Sequence, residues 1–171
     1  MSRNKRPRKP YRPKPVTADT LGLALHFAAK PTKEDREEVL SVLRQAIKAL
    51  RAGVATEHDW SVAAGGVSVA QAIERQGIVR GLREHITTTE QALQAIYDRA
   101  MRVGGGRWVR TSLWFDEMDA LANFLELHTF QVHQLGRAEM LAAIDEAQKH
   151  TIAQGHTATL VHNIDAERMA A

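Results

Sequence analysis

Apolar positions recur along most of the chain at three- and four-residue intervals, and polar caps and glycines divide them into five segments. Thr32-Lys-Glu-Asp35 has the form of a capping box, and Val39, Leu40, Leu43, Ala46, Ile47 and Leu50 follow at helical spacing until Gly53. Thr56-Glu-His-Asp59 offers a second start of the same form, leading through Trp60, Ala63, Ala64, Val67, Ala70 and Ile73 to Gly77. A third helix is predicted from about Ile78 to Arg102, with Leu82, Ile86, Leu93, Ile96, Tyr97 and Met101 on one side. The β-branched run Thr87-Thr88-Thr89 is its weakest point, and Gly104-Gly105-Gly106 ends it. Arg107-Trp-Val-Arg110 reads as a short extended linker. The fourth helix starts after Thr111 or Ser112, carries Trp114, Phe115, Met118, Leu121, Leu125, His128, Val132 and Leu135, and stops at Gly136. A fifth runs from about Arg137 through Met140, Leu141, Ile144 and Ala147 to Gly155. Short connections between helices of this length imply antiparallel neighbours. The predicted fold is therefore all-α: a compact antiparallel bundle of about five helices over residues 17–155, with a frayed tail at 156–171.

Composition agrees with that pattern and removes several functions. A chain of 171 residues makes one ordinary domain and is short for two. Only nine residues are aromatic while Ala is abundant, which favours helices over a sheet. The absence of Cys excludes disulfides, Cys-ligated zinc, iron–sulfur clusters and thiol catalysis. No segment approaches 18 apolar residues, so no helical membrane span is expected. The apolar run at 21–29 is a poor secretory h-region, weakened by Asp19, Gly22 and His26, and a cytoplasmic setting is expected.

Charge changes the picture more. The formal net charge is +3, but residues 1–15 hold seven cations, Arg3, Lys5, Arg6, Arg8, Lys9, Arg12 and Lys14, with four of the five prolines and no acid. The remainder has 16 basic against 20 acidic residues, so the body is acidic. Pro7, Pro10, Pro13 and Pro15 forbid a helix, and residues 1–16 are expected to form a disordered arm. Its cations suit a phosphate backbone, with Tyr11 as the only base-stacking candidate. An acidic protein surface would satisfy the same arm, and a solubilising tail is the bland alternative.

Motifs for catalysis are lacking. The eight His do not fall at ligand spacing: His128 and His133 are five apart, and His150, His156 and His162 are six apart. Glu146 and His150 stand at i and i+4, without the paired Glu-x-x-His of di-iron bundles. Asp116, Glu117 and Asp119 open the fourth helix, where capping explains them. The triple glycine lacks the Lys-Ser/Thr of a phosphate loop, and no GxSxG occurs. Neither an enzyme, a cofactor nor a metal is expected. Residues 56–77 have a helix-turn-helix look, which would turn Ser68, Gln71, Arg75 and Gln76 toward a major groove. The other reading is a continuous core helix whose Gly65 and Gly66 allow close packing.

Three stretches carry a resemblance: RPRKPYRPKPV; ALRAGVATEHDW with AQAIERQGI; and RWVRTSLWFDEMDALANFLELHTFQV followed by RAEMLAAIDEA. Together they span roughly residues 6–147, and the chain resembles small all-helical proteins carried by proteobacterial prophages. The resemblance implies a phage origin, a cytoplasmic setting and an all-helical fold, and it brings no activity or functional residues. It also implies a continuous helix across Gly65-Gly66, and residues 156–171 lie beyond it.

Two functions follow as expectations. The first is a non-enzymatic nucleic-acid-associated protein whose arm contacts phosphate. The second is a module that binds or inhibits a host or phage protein through Arg107, Trp108, Arg110 and Trp114, since Trp and Arg dominate such contacts. Burial of these tryptophans between the third and fourth helices is the competing expectation.

Overall fold

The computed structural model describes residues 31–153, which form five helices: α1 (Lys33–Arg51), α2 (Glu57–Gln76), α3 (Arg83–Val103), α4 (Phe115–Gln134) and α5 (Arg137–Ala153). The expected arm at 1–16 and tail at 156–171 lie outside the described residues. Both capping boxes form. Thr32 Oγ1 accepts from the Asp35 amide while Asp35 accepts from the Thr32 amide, and Thr56 and Asp59 repeat the arrangement. The Thr56 hydroxyl and then the Thr56 amide, each donating to the Asp59 carboxylate at 2.7 Å, hold that carboxyl below its ordinary range.

α1 to α4 pack in a closed ring, α1 on α2, α2 on α3, α3 on α4 and α4 back on α1, and α5 lies against α2. The 52–56 and 104–114 connections share one end of the ring; the 77–82 and 135–136 connections share the other, where α5 closes over it. Leu43, Ile47, Val67, Ile86, Leu93, Ile96, Leu121 and Phe124 fill the ring. A second cluster of Leu40, Ile73, Val79, Val132, Leu135, Met140 and Ala143 seals the α5 end. Phe124 is the largest fully buried side chain, and its burial contributes about 2–3 kcal/mol.

The structure decides between the two readings of 56–77 and departs from the predicted elements at two places. α2 is one continuous helix, so the helix-turn-helix is replaced by the close-packing alternative. A Cβ on Gly66 would stand 3.0 Å from Leu43 Cδ1, whereas nothing approaches Gly65. Ser68, Gln71 and Arg75 are engaged within the fold, by the Ala64 carbonyl, Glu90 and Glu146, and Gln76 Oε1 is buried without a partner. The third helix begins at Arg83 rather than Ile78, because the Glu74 carboxylate takes the Gly81 and Leu82 amides and Val79 turns inward. The threonine run does not break it: Thr88 and Thr89 hydroxyls donate to the carbonyls four residues back.

The second departure is the face that α4 buries. Trp114 caps the helix from outside it, and Trp114 and Phe115 are exposed, contrary to their predicted place on the apolar face. The buried face holds Glu117, Leu121, Phe124, His128, Gln131 and Val132, so three polar residues occupy core positions. His128 stacks on Phe124 and bonds through Nδ1 to Gln131 Oε1 at 3.1 Å, while Gln131 Nε2 donates to the Ala70 carbonyl. Burial keeps the His128 imidazole below its ordinary pKa, and the Gln131 bond opposes that shift.

Candidate functional site

The open end of the ring is built around the 104–114 connection. The Gly104 amide closes α3 on the Ala100 carbonyl, and the Gly106 amide returns to Met101. The turn is so tight that a Cβ on Gly104 would run into the Arg107 carbonyl oxygen and the Val109 side chain. From it the chain drops Trp108 into the ring, where Nε1 donates to the Ala55 carbonyl at 3.0 Å. Trp108 joins Trp60 and Tyr97 in a three-ring cluster with centroids 4.6–6.4 Å apart. Trp60 Nε1 is likewise engaged, by the Leu93 carbonyl. Trp108, partly buried, therefore ties the α1–α2 turn to α3, a packing role of the kind that competed with its expected partner contact.

Arg99 fixes the rest of the connection. Its guanidinium meets Glu117 bidentately, at 2.9 and 2.6 Å, and also donates to Thr111 Oγ1 and the Ser112 carbonyl. The Glu117 carboxylate in turn accepts the Trp114 amide at 2.8 Å, which caps α4. Glu117 thus has the capping role expected of it and is also the inner half of a buried ion pair, with side-chain exposures of 19% for Arg99 and 4% for Glu117. Arg99 lies 4.7 Å from the centre of the Trp114 ring, a cation–π contact that orients the indole while leaving the residue 62% exposed. The Trp114 Nε1–H has no hydrogen-bond partner among the described residues.

Around this clamp the surface combines two chemistries. Phe115 is 75% exposed, and Val54, Val103 and Val109 are exposed at the same end of the bundle. Arg51, Arg102, Arg107 and Arg110 are exposed, and none has an ion-pair partner among the described residues. Arg51 and Arg102 lie in the last turns of α1 and α3, where cations complement the helix dipole. The first-turn acids Glu57 and Asp116 share this end, so the surface is mixed, with its cations on the loop and the helix C-termini.

No family model matches the chain, and no curated protein or solved structure matches it.

Of the expected partner cluster, the fold keeps Arg107, Arg110 and Trp114 outside, withdraws Trp108, and adds Arg51, Arg102 and Phe115. The additions come from three segments that meet only in the folded chain; the one local hint was an aromatic pair, Trp114-Phe115, ahead of an acidic first turn. Arg3, Lys5, Arg6, Arg8, Lys9, Tyr11, Arg12 and Lys14 lie outside the described residues. Among the described residues no three His, Asp or Glu side chains gather as metal ligands would, and no helix is long and apolar enough to cross a membrane.

Proposed function

We propose that the protein is a small phage-type, non-catalytic nucleic-acid-associated protein, in which the basic arm contacts phosphate and the open end of the bundle supplies a stacking surface. The observation that carries this reading is the grouping of four unpaired arginines with exposed Trp114 and Phe115 on an otherwise acidic body. Single-stranded nucleic acid is held by cations along its backbone and aromatic rings against its bases, and this end offers both. The acidic remainder of the body leaves most of the affinity to the arm. Seven phosphate contacts on a single strand correspond to a slope of about −5 in log K against log salt. Removal of residues 1–15 is expected to abolish retention on heparin and on immobilised DNA. Unchanged retention of the shortened chain would contradict the proposal.

A second reading, a module that binds or inhibits a host or phage protein, is favoured by the Trp114 indole, which Arg99 orients before any partner arrives. Pre-oriented Trp flanked by Arg is the composition of binding hot spots. On this reading Trp114→Ala abolishes capture of the partner at unchanged melting temperature, and nuclease treatment leaves the capture intact.

A further inference from the structure

Beyond the open end, the bundle has an unfilled seam. α1 and α4 meet less extensively than the other neighbouring helices of the ring, and an open cleft of about 390 Å³ separates part of them. Ile47, Met118 and Leu125 form its apolar floor, and Arg44, Lys48 and Arg51 stand along the α1 side. No carboxylate lines it. The three cations lie at i, i+4 and i+7, on one face of α1. Arg44 is paired with Glu37, two turns back along α1 and outside the lining, and Lys48 and Arg51 have no ion-pair partner among the described residues. On α4, Met118 and Leu125 continue a stripe that begins at exposed Phe115 and passes through half-buried Ala122. From Phe115 to Leu125 the stripe is about 15 Å long, three helical turns.

From this arrangement we infer that the α1/α4 cleft is a docking groove for an acidic amphipathic helix of a protein partner. An aliphatic floor receives side-chain knobs at i, i+3 or i+4, and i+7, and the row of cations on one wall demands carboxylates along the facing flank of the occupant. Charge complementarity sets the orientation of such a helix and speeds its encounter. The floor has no aromatic ring on which a base would stack, so the groove favours a peptide over a nucleic-acid strand. Met at the centre of the floor gives it the adaptable surface common in helix-binding grooves.

The test uses the full chain with ¹³C-methyl methionine, in which the Met118 methyl reports the groove and the Met140 methyl, buried in the second core, serves as the internal control. The probe is a 15-residue capped peptide of Ala, Leu and Glu with leucines at helical spacing and glutamates on one flank. The inference expects a saturable shift of Met118 with Met140 unmoved. It expects affinity to fall about tenfold or more in Lys48→Glu/Arg51→Glu, and in wild type when the glutamates are replaced by lysines. An unmoved Met118, or equal binding of the lysine peptide, overturns it. So does a dT20 oligonucleotide that shifts Met118 and displaces the peptide, or a Met118 shift that follows protein concentration alone. The Trp114 indole resonance, read in the same samples, reports the open end separately, so failure of the groove is distinguishable from failure of the nucleic-acid reading.

Discussion

The two ends of the bundle are each closed by two connections, yet they use their charges in opposite ways. At the α5 end, Arg36 binds the Pro31 carbonyl and the His133 ring, Glu74 binds two turn amides, Arg75 meets Glu146, and Glu139 takes the Gly136 amide. Beneath them lies a second apolar cluster. At the other end, one deeply placed pair, Arg99 and Glu117, holds the 111–114 part of the connection, and Trp108 anchors the part before it. Arg51, Arg102, Arg107 and Arg110 form no ion pair there among the described residues, and Trp114 and Phe115 stay exposed. Burial and ion pairing thus contribute little at these side chains, which leaves them available for the binding proposed above. The comparison also separates residues alike in sequence: Trp108 and Trp114 are six positions apart, and only the first is structural.

The largest expected effect follows from that contrast. Glu117→Gln leaves Arg99 without its counter-charge and weakens the α4 cap, and it should lower unfolding stability by about 3 kcal/mol. Arg75→Ala removes a half-exposed pair, with side chains 41% and 40% accessible, and should cost no more than about 0.5 kcal/mol. Equal losses in urea titrations would erase the distinction between the two ends. Next, Trp108→Ala should cost about 2–3 kcal/mol through loss of the three-ring cluster, whereas Trp114→Ala should cost less than about 1 kcal/mol. Reversed values would move the candidate site.

A pH titration probes the shared core. Because burial depresses the His128 pKa in the folded state, its contribution to stability is complete above the unfolded value of about 6.5 and is lost as pH falls below it. The urea midpoint should therefore drop between pH 7.5 and 5.5, and His128→Gln should flatten that slope; an unchanged slope would place the titrating group elsewhere. The smallest effect concerns α2. Gly65→Ala should raise stability by about 0.5–1 kcal/mol, since its Cβ meets nothing. Gly66→Ala should gain less or lose, because Leu43 must move to admit it. Equal gains in thermal melts would mean that α2 does not pack closely on α1 there.

Helix count, caps and the cores of α1 and α2 were legible in the pattern because both helices begin with reciprocal capping boxes and bury purely apolar stripes. α4 was legible in extent but not in orientation. Glu117 and Gln131 occupy its buried face, bonded to Arg99 and to the Ala70 carbonyl on other helices, so their polarity pointed outward where the side chains point in. His128, which the pattern did place on the helix's apolar side, bonds Gln131 on the same helix. That rotation is also why Phe124 was absent from the predicted core and why Phe115 was misplaced within it. The start of α3 was misread because the carboxylate of Glu74, eight residues before Leu82, organises the turn. The candidate site was half legible: Arg107, Arg110 and Trp114 lie close together in sequence, whereas Arg51 and Arg102 reach the same end only because α1 and α3 both run toward it, each packed against α2 and α4.

The most direct test of the open end as the binding end reads the three indole N–H resonances of the full chain during titration with dT20. Trp60 and Trp108 have their Nε1–H groups locked on the Leu93 and Ala55 carbonyls, while that of Trp114 is free. The account predicts a saturable shift of the Trp114 indole alone, weakened by Arg107→Ala/Arg110→Ala and abolished by high salt. A Trp114 resonance that stays fixed while the oligonucleotide binds would contradict it.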